Sequence, residues 1–168
     1  MSGEVVVNDS LRFKNIPMRY NMYSDKMEFK NENQQTLEMD NTRLGWQFYL
    51  GNKKMANLQY LVKGKNVSGV LEWMVEGRIR LYKKYSVEFK PATKAAGYQD
   101  PEPDRFCRLD DHYLIAIDGA LPDFCRSSKE VVEKLRSVKP DIDRYVKEQK
   151  LKLKTDEGLI MLVEYCNQ

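Results

Sequence analysis

The chain has one histidine and three cysteines in 168 residues. A dense disulfide framework is excluded, because three thiols leave at least one unpaired within a monomer. Cys107 and Cys125 close the similar pieces RFCR and DFCR, so one bridge between them stands as an alternative to free, buried thiols. A zinc site would have to use Cys107, His112 and Cys125, with Asp110 or Asp111 adding an oxygen. Their spacing matches none of the compact signatures, in which paired ligands stand about two to four residues apart. On a strand, Cys107 and His112 would also face opposite ways, being an odd number of residues apart. No metal ligand and no cofactor is assigned.

Long apolar runs are missing too. No segment approaches the ~18 residues that a membrane-spanning helix needs. The N-terminus MSGEVVVNDS has neither the basic segment nor the apolar one of an export signal. There is no dinucleotide fingerprint, no phosphate-binding glycine loop and no Gly-x-Ser-x-Gly elbow. The glycines at 64 and 69 flank KNVS and read as turn residues. Charge of one sign is also scarce: 28 basic against 25 acidic residues leave a formal net charge of +3. That balance argues against a nucleic-acid partner, which needs a coherent positive groove. The most lysine-rich stretch, YVKEQKLKLK at 145–154, mixes Glu148 and apolar residues with its lysines, and reads as a solvated helix end and loop.

What the sequence has is 42% hydrophobic residues and ten tyrosines. This suffices for a sizeable core without staples. The first two thirds alternate with period two. Met18, Tyr20 and Met22 alternate with Arg19, Asn21 and Tyr23; Ser24-Asp25 turns the chain; Met27 and Phe29 resume the pattern. Trp46, Phe48 and Leu50 share one side of LGWQFYLG, with Gln47 and Tyr49 on the other, and Leu58, Tyr60 and Val62 repeat the pattern. SGVLEWMVEGRIRLYKKYSVEF reads as a hairpin turning at Glu76-Gly77 with Met74 facing Ile79, and a short helix through VLEWMV is the competing assignment. Residues 90–105 carry three prolines and no periodicity, the longest loop expected. Asp118-Gly119 then signals another hairpin.

After residue 125 the period changes. Ser127 with Glu130 fits a capping box, and Val131, Val132 and Leu135 follow on one face. Pro140 can open a second helix bearing Ile142, Tyr145 and Val146. Thr155 can cap a third, in which Leu159, Leu162, Val163 and Cys166 stand at i, i+3, i+4 and i+7. The expectation is one α+β domain over 1–168. Residues 1–125 form an antiparallel β meander, a curved sheet or partial barrel, and 127–168 form about three helices.

The run RYNMYSDKMEF, the later VEGRIRLYKKY, the segment RLDDHYLIAIDG and the ending VVEKLRSVKPDIDRYVKEQKLKLKTDEGLIMLVEYCN together resemble a group of uncharacterised exported proteins of Bacteroidetes. The likeness spans most of residues 18–168. It implies a periplasmic or cell-surface setting, with the export signal absent from this chain, and brings no catalytic or ligand residues to carry over.

Function is read from the residues. Asp110-Asp111-His112 is an acid/base cluster without a nucleophile beside it, and Ser127 and Ser128 are explained as helix caps. A pair of correctly separated carboxylates would be enough for glycan processing, which stands as the alternative. The leading reading is a noncatalytic interaction protein that binds a protein or glycan through tyrosines, which give amphipathic contact area at modest entropic cost. Met18, Tyr20, Met22, Met27 and Phe29 are assigned to sheet packing, and Arg19, Tyr23 and Glu28 to an exposed edge. The candidate binding residues are Arg19, Tyr23, Tyr49 and Tyr98.

Overall fold

The computed structural model describes residues 2–8, 10–40, 44–93 and 102–168. Its strands are β1 (Ser2–Val7), β2 (Leu11–Asn21), β3 (Lys26–Lys30), β4 (Thr36–Glu38), β5 (Gln47–Leu50) and β6 (Lys53–Val62), followed by β7 (Lys65–Val75), β8 (Ile79–Lys84), β9 (Val87–Lys90), β10 (Arg105–Arg108), β11 (His112–Ile117) and β12 (Asp123–Cys125). Three helices follow: α1 (Ser128–Arg136), α2 (Ile142–Glu148) and α3 (Asp156–Cys166). The architecture is α+β and mostly antiparallel, as the change of period near residue 125 predicts.

Ten strands form one sheet in the order β12-β11-β8-β7-β6-β5-β1-β2-β3-β4. Its first five strands curl until β12 meets β6 in parallel, at Asp123 opposite Leu61, where the Leu61 N–H donates to the Pro122 carbonyl at 2.8 Å. This closes a five-stranded barrel. Inside it, Tyr60, Leu71, Tyr82, Leu114 and Ala116 form one apolar cluster, with Trp73 and Phe124 packed against them. The order is not a plain meander, since β1 lies between β5 and β2 and the last strand returns to β6.

VLEWMV is strand rather than helix. In β7, Leu71 and Trp73 point into the barrel, and the register with β8 then shifts: Trp73 opposes Tyr82 and Val75 opposes Leu81. The irregularity at Met74 replaces the Met74–Ile79 pairing expected from simple alternation, and it turns Val75 outward beneath the helices.

The helices cover the outer face of that barrel. Val131, Val132, Leu135, Ile142, Leu159, Leu162 and Val163 are buried with Val75, Ile79, Leu81 and Ile115 of the strands. Ser127 Oγ accepts the Glu130 N–H, and Glu130 Oε2 accepts the Arg126 N–H at 2.9 Å, so the cap forms with its return bond one residue earlier than in the standard box. Thr155 Oγ1 accepts the Gly158 N–H at 3.2 Å and starts α3. At the other end of α3, the Asn167 side-chain amide donates to the Ile79 carbonyl and accepts its N–H, both at 2.8 Å, tying the helix terminus to the start of β8. No helix among the described residues is long and apolar enough to cross a membrane.

The rest of the sheet, β1 to β5, packs a third cluster of Val5, Met18, Met27, Phe48 and Leu50 against Met55, Val70 and Tyr85 on the barrel's outer wall. The β2–β3 hairpin is thereby pressed against β7, with Asp25 of its turn meeting Val70 of β7 and Lys84 of β8. β9 and β10 form a separate two-stranded ribbon, beyond which Thr93 and Glu102 make an isolated antiparallel bridge.

Candidate binding site

The β2–β3 hairpin has a buried side and a displayed side. Met18 and Met27 are buried, Tyr20 and Phe29 are half-buried, and Met22 is exposed despite its place in the alternation. Period two ends at Asn21, where the strand ends: Asn21 Oδ1 accepts the backbone N–H groups of Tyr23 and Ser24 at 3.1 and 3.2 Å, an Asx turn that carries Met22 and Tyr23 out of the sheet.

Glu28 is not the exposed edge residue that its place beside Arg19 predicts. It is 5% exposed, and accepts from Arg19 Nε at 2.6 Å and from Asn21 Nδ2 at 2.7 Å. Those hydrogen bonds, Asn21 first and Arg19 second, hold its carboxyl below the usual range even though burial acts the other way. The cause of the miss is register. Glu28 stands directly opposite Arg19, and the cross-strand pair turns an apparently solvated carboxylate into the anchor of the hairpin. Through Asn21 the same carboxylate positions the backbone of Tyr23.

Tyr23 does not stand alone. Its ring packs edge-on against Phe106 at 5.0 Å between centroids and against Phe89 at 6.3 Å, and Phe89 and Phe106 meet at 5.2 Å. Phe89 and Phe106 are cross-strand partners in the β9–β10 ribbon. All three rings remain exposed, Tyr23 at 57%, Phe89 at 39% and Phe106 at 63%. Sequence reading missed both phenylalanines. VEFK and RFCR are visible as short β-like pieces, but only their pairing with each other brings the two rings under Tyr23.

A groove of about 400 Å³ adjoins the rings, walled by Arg19, Tyr20, Asn21, Met22, Val87 and Phe106. The other predicted residues fare differently. Arg19 lies on the groove wall with its side chain 71% exposed. Tyr49 lies on the face of β5 opposite Phe48 and Leu50, its hydroxyl donating to Gln47 Oε1 at 3.1 Å, and does not join the cluster. Tyr98 lies outside the described residues.

A second, polar cleft of about 540 Å³ lies where α1 and α3 begin, and tests the carboxylate alternative. Lys83 Nζ sits 3.0 Å from Asp111 and 2.6 Å from Asp156, and the Tyr113 hydroxyl donates to Asp156 at 2.7 Å. Two carboxylates are thus close, but they share one ammonium. Burial alone would raise Asp156; the bonds from Lys83 and Tyr113 outweigh it and hold the group below its ordinary value. A glycosidase acid needs a carboxyl raised toward neutrality.

All three cysteines are free. Cys125 is buried beneath α1, and burial pushes its thiol up to about 12, leaving it protonated and unreactive at neutral pH. Among the described residues, no group of three or more His, Cys, Asp or Glu side chains is arranged to hold a metal ion.

Comparison of the chain with protein-family models, with curated proteins and with solved structures gives no match.

Proposed function

We propose that the protein is a noncatalytic binding module that engages a protein partner through Tyr23, Phe89 and Phe106, with Arg19 and Met22 flanking them. The observation that carries this reading is the contact of three exposed rings contributed by two separate hairpins. Single exposed apolar side chains are ordinary, whereas a contiguous patch of large rings with a polar rim marks an interaction surface. Aromatic side chains also dominate the energetics of protein interfaces. The mutual tilt of the rings, 51–64°, favours protein over glycan. A sugar stacks on a flat face, and rings set edge to face present a notch instead, suited to an inserted side chain.

An extracytoplasmic setting belongs to the same proposal and rests on the resemblance to exported proteins. Cell fractionation of the native producer tests it: recovery only in the cytosol would remove it and leave the binding surface as argued. Glycan processing is the second reading, supported by the closeness of Asp111 and Asp156 and opposed by their shared lysine.

The direct test is site-specific photo-crosslinking. A photoreactive phenylalanine analogue replacing Phe106 should give one discrete protein adduct in the native producer, while the same analogue at Met161, exposed on α3, should not. No adduct at position 106, or the same adducts at both positions, would count against the reading.

A further inference from the structure

We infer that the space between the β2–β3 hairpin and the turn joining β5 to β6 is a binding site for a small carboxylate with a short apolar chain. The space holds about 310 Å³, near the lower end of the ligand-pocket range of roughly 300–1,000 Å³. Met18, Met22, Leu50 and Met55 form its apolar wall, with the rings of Tyr20 and Tyr85. Methionine is flexible and polarisable, and such walls adapt to chains of different shape.

The charged side chains of the wall are both basic. Arg19 and Lys53 line the space, and no carboxylate does so among the described residues. Arg19 uses Nε on Glu28, which leaves its other guanidinium N–H groups for a ligand. Lys53 Nζ donates to Glu72 at 3.2 Å and to the Tyr85 hydroxyl, and an ammonium has a third donor to give. Burial and the hydrogen bond to Glu72 keep the Tyr85 hydroxyl protonated, so no phenolate offsets the cations at the wall. An apolar chain lies against the methionines and leaves its polar end beside Arg19 and Lys53. Each cation already has one carboxylate partner, Glu28 for Arg19 and Glu72 for Lys53, so what remains open is their spare N–H donors: an ammonium has no acceptor to offer them, an alcohol accepts through one oxygen, and a carboxylate accepts from both cations through two.

This inference goes beyond the partner reading. The site shares Arg19, Tyr20 and Met22 with the aromatic groove but uses none of Tyr23, Phe89 or Phe106. Either can fail without the other.

The experiment titrates octanoate, octan-1-ol and octylammonium at pH 7 into protein carrying ¹³C-methyl methionine, read by NMR. Octanoate should shift the methyls of Met18, Met22 and Met55 saturably and leave Met74 and Met161 in place. Octylammonium should bind at least about tenfold more weakly. Lys53→Gln and Arg19→Gln should each weaken octanoate and leave octan-1-ol unchanged, with the methionine spectrum showing the fold retained. Absence of a saturable shift, octylammonium binding as well as octanoate, or octanoate affinity unmoved by both substitutions would each overturn the inference. The comparison of the three probes on the unsubstituted protein decides the matter even if a substitution disturbs the fold.

Discussion

The Asp25 carboxylate occupies the space that a side chain on Gly69 would take: a β-carbon added to Gly69 would lie 2.3 Å from Asp25 Oδ2 and 3.0 Å from Lys84 Nζ. Asp25 heads the β2–β3 turn in a left-handed conformation (φ 55°), accepts from the Tyr20 hydroxyl at 2.7 Å and from the Val70 N–H at 3.2 Å, and pairs with Lys84. The hairpin that displays Tyr23 is thus fixed to β7 and β8 by a partly buried ion pair, for which glycine alone leaves room.

Gly69→Ala is therefore expected to destabilise the protein by about 1–3 kcal/mol, the usual cost of overpacking. Asp25 cannot swing away cheaply, because three donors hold it. Urea unfolding measures the effect. An unchanged midpoint would mean that the turn does not rest on Gly69 in solution.

Asp156 should make stability pH-dependent on the acid side. Its carboxyl is held below the ordinary value in the folded chain, so its contribution is present above the unfolded value of about 3.9 and is lost as pH falls through the lower folded value. With its side chain 36% exposed, solvent screening leaves a cost for Asp156→Asn of about 1 kcal/mol at pH 7. That gap should close on acidification, measured by denaturant melts across pH. A gap of constant size would show that the Lys83 pairing contributes nothing.

Much of this was legible from periodicity. The alternation in residues 18–29 and 46–62 places most of the inward side chains, and the caps at Ser127 and Thr155 mark two of the three helices. A curved sheet or partial barrel is expected and found, but which strands close it was not legible, because closure depends on one parallel contact between segments some sixty residues apart in the chain, Leu61 and Asp123. The candidate site was half legible. Arg19 and Tyr23 were chosen for exposure and do lie together. Tyr49, which its polar and basic neighbours point to, lies elsewhere, since alternation gives a face but not which faces meet. Phe89 and Phe106 needed the ribbon register, and Glu28 needed the cross-strand pairing that buries it.

The cysteines should separate by alkylation. Cys107 is half-buried, whereas Cys125 and Cys166 are buried with thiols raised chiefly by that burial. Iodoacetamide at pH 7.5, roughly one unit below a free thiol's pKa, should label Cys107 first and the other two only on unfolding. Peptide mass mapping reads the order. Early labelling of Cys125 would contradict the packing of α1 over β12.

The central claim is that Tyr23, Phe89 and Phe106 act as one binding surface, and the most direct measurement is the affinity of the partner identified by crosslinking for substituted proteins. Tyr23→Ala with Phe106→Ala should weaken binding by about 30-fold or more, the scale of an interface hot spot. Their exposure keeps the effect of each on unfolding free energy within about 0.5–1 kcal/mol. Tyr49→Ala should bind as the parent does. Parent-like affinity after loss of both rings, or an equal loss from Tyr49→Ala, would contradict the account.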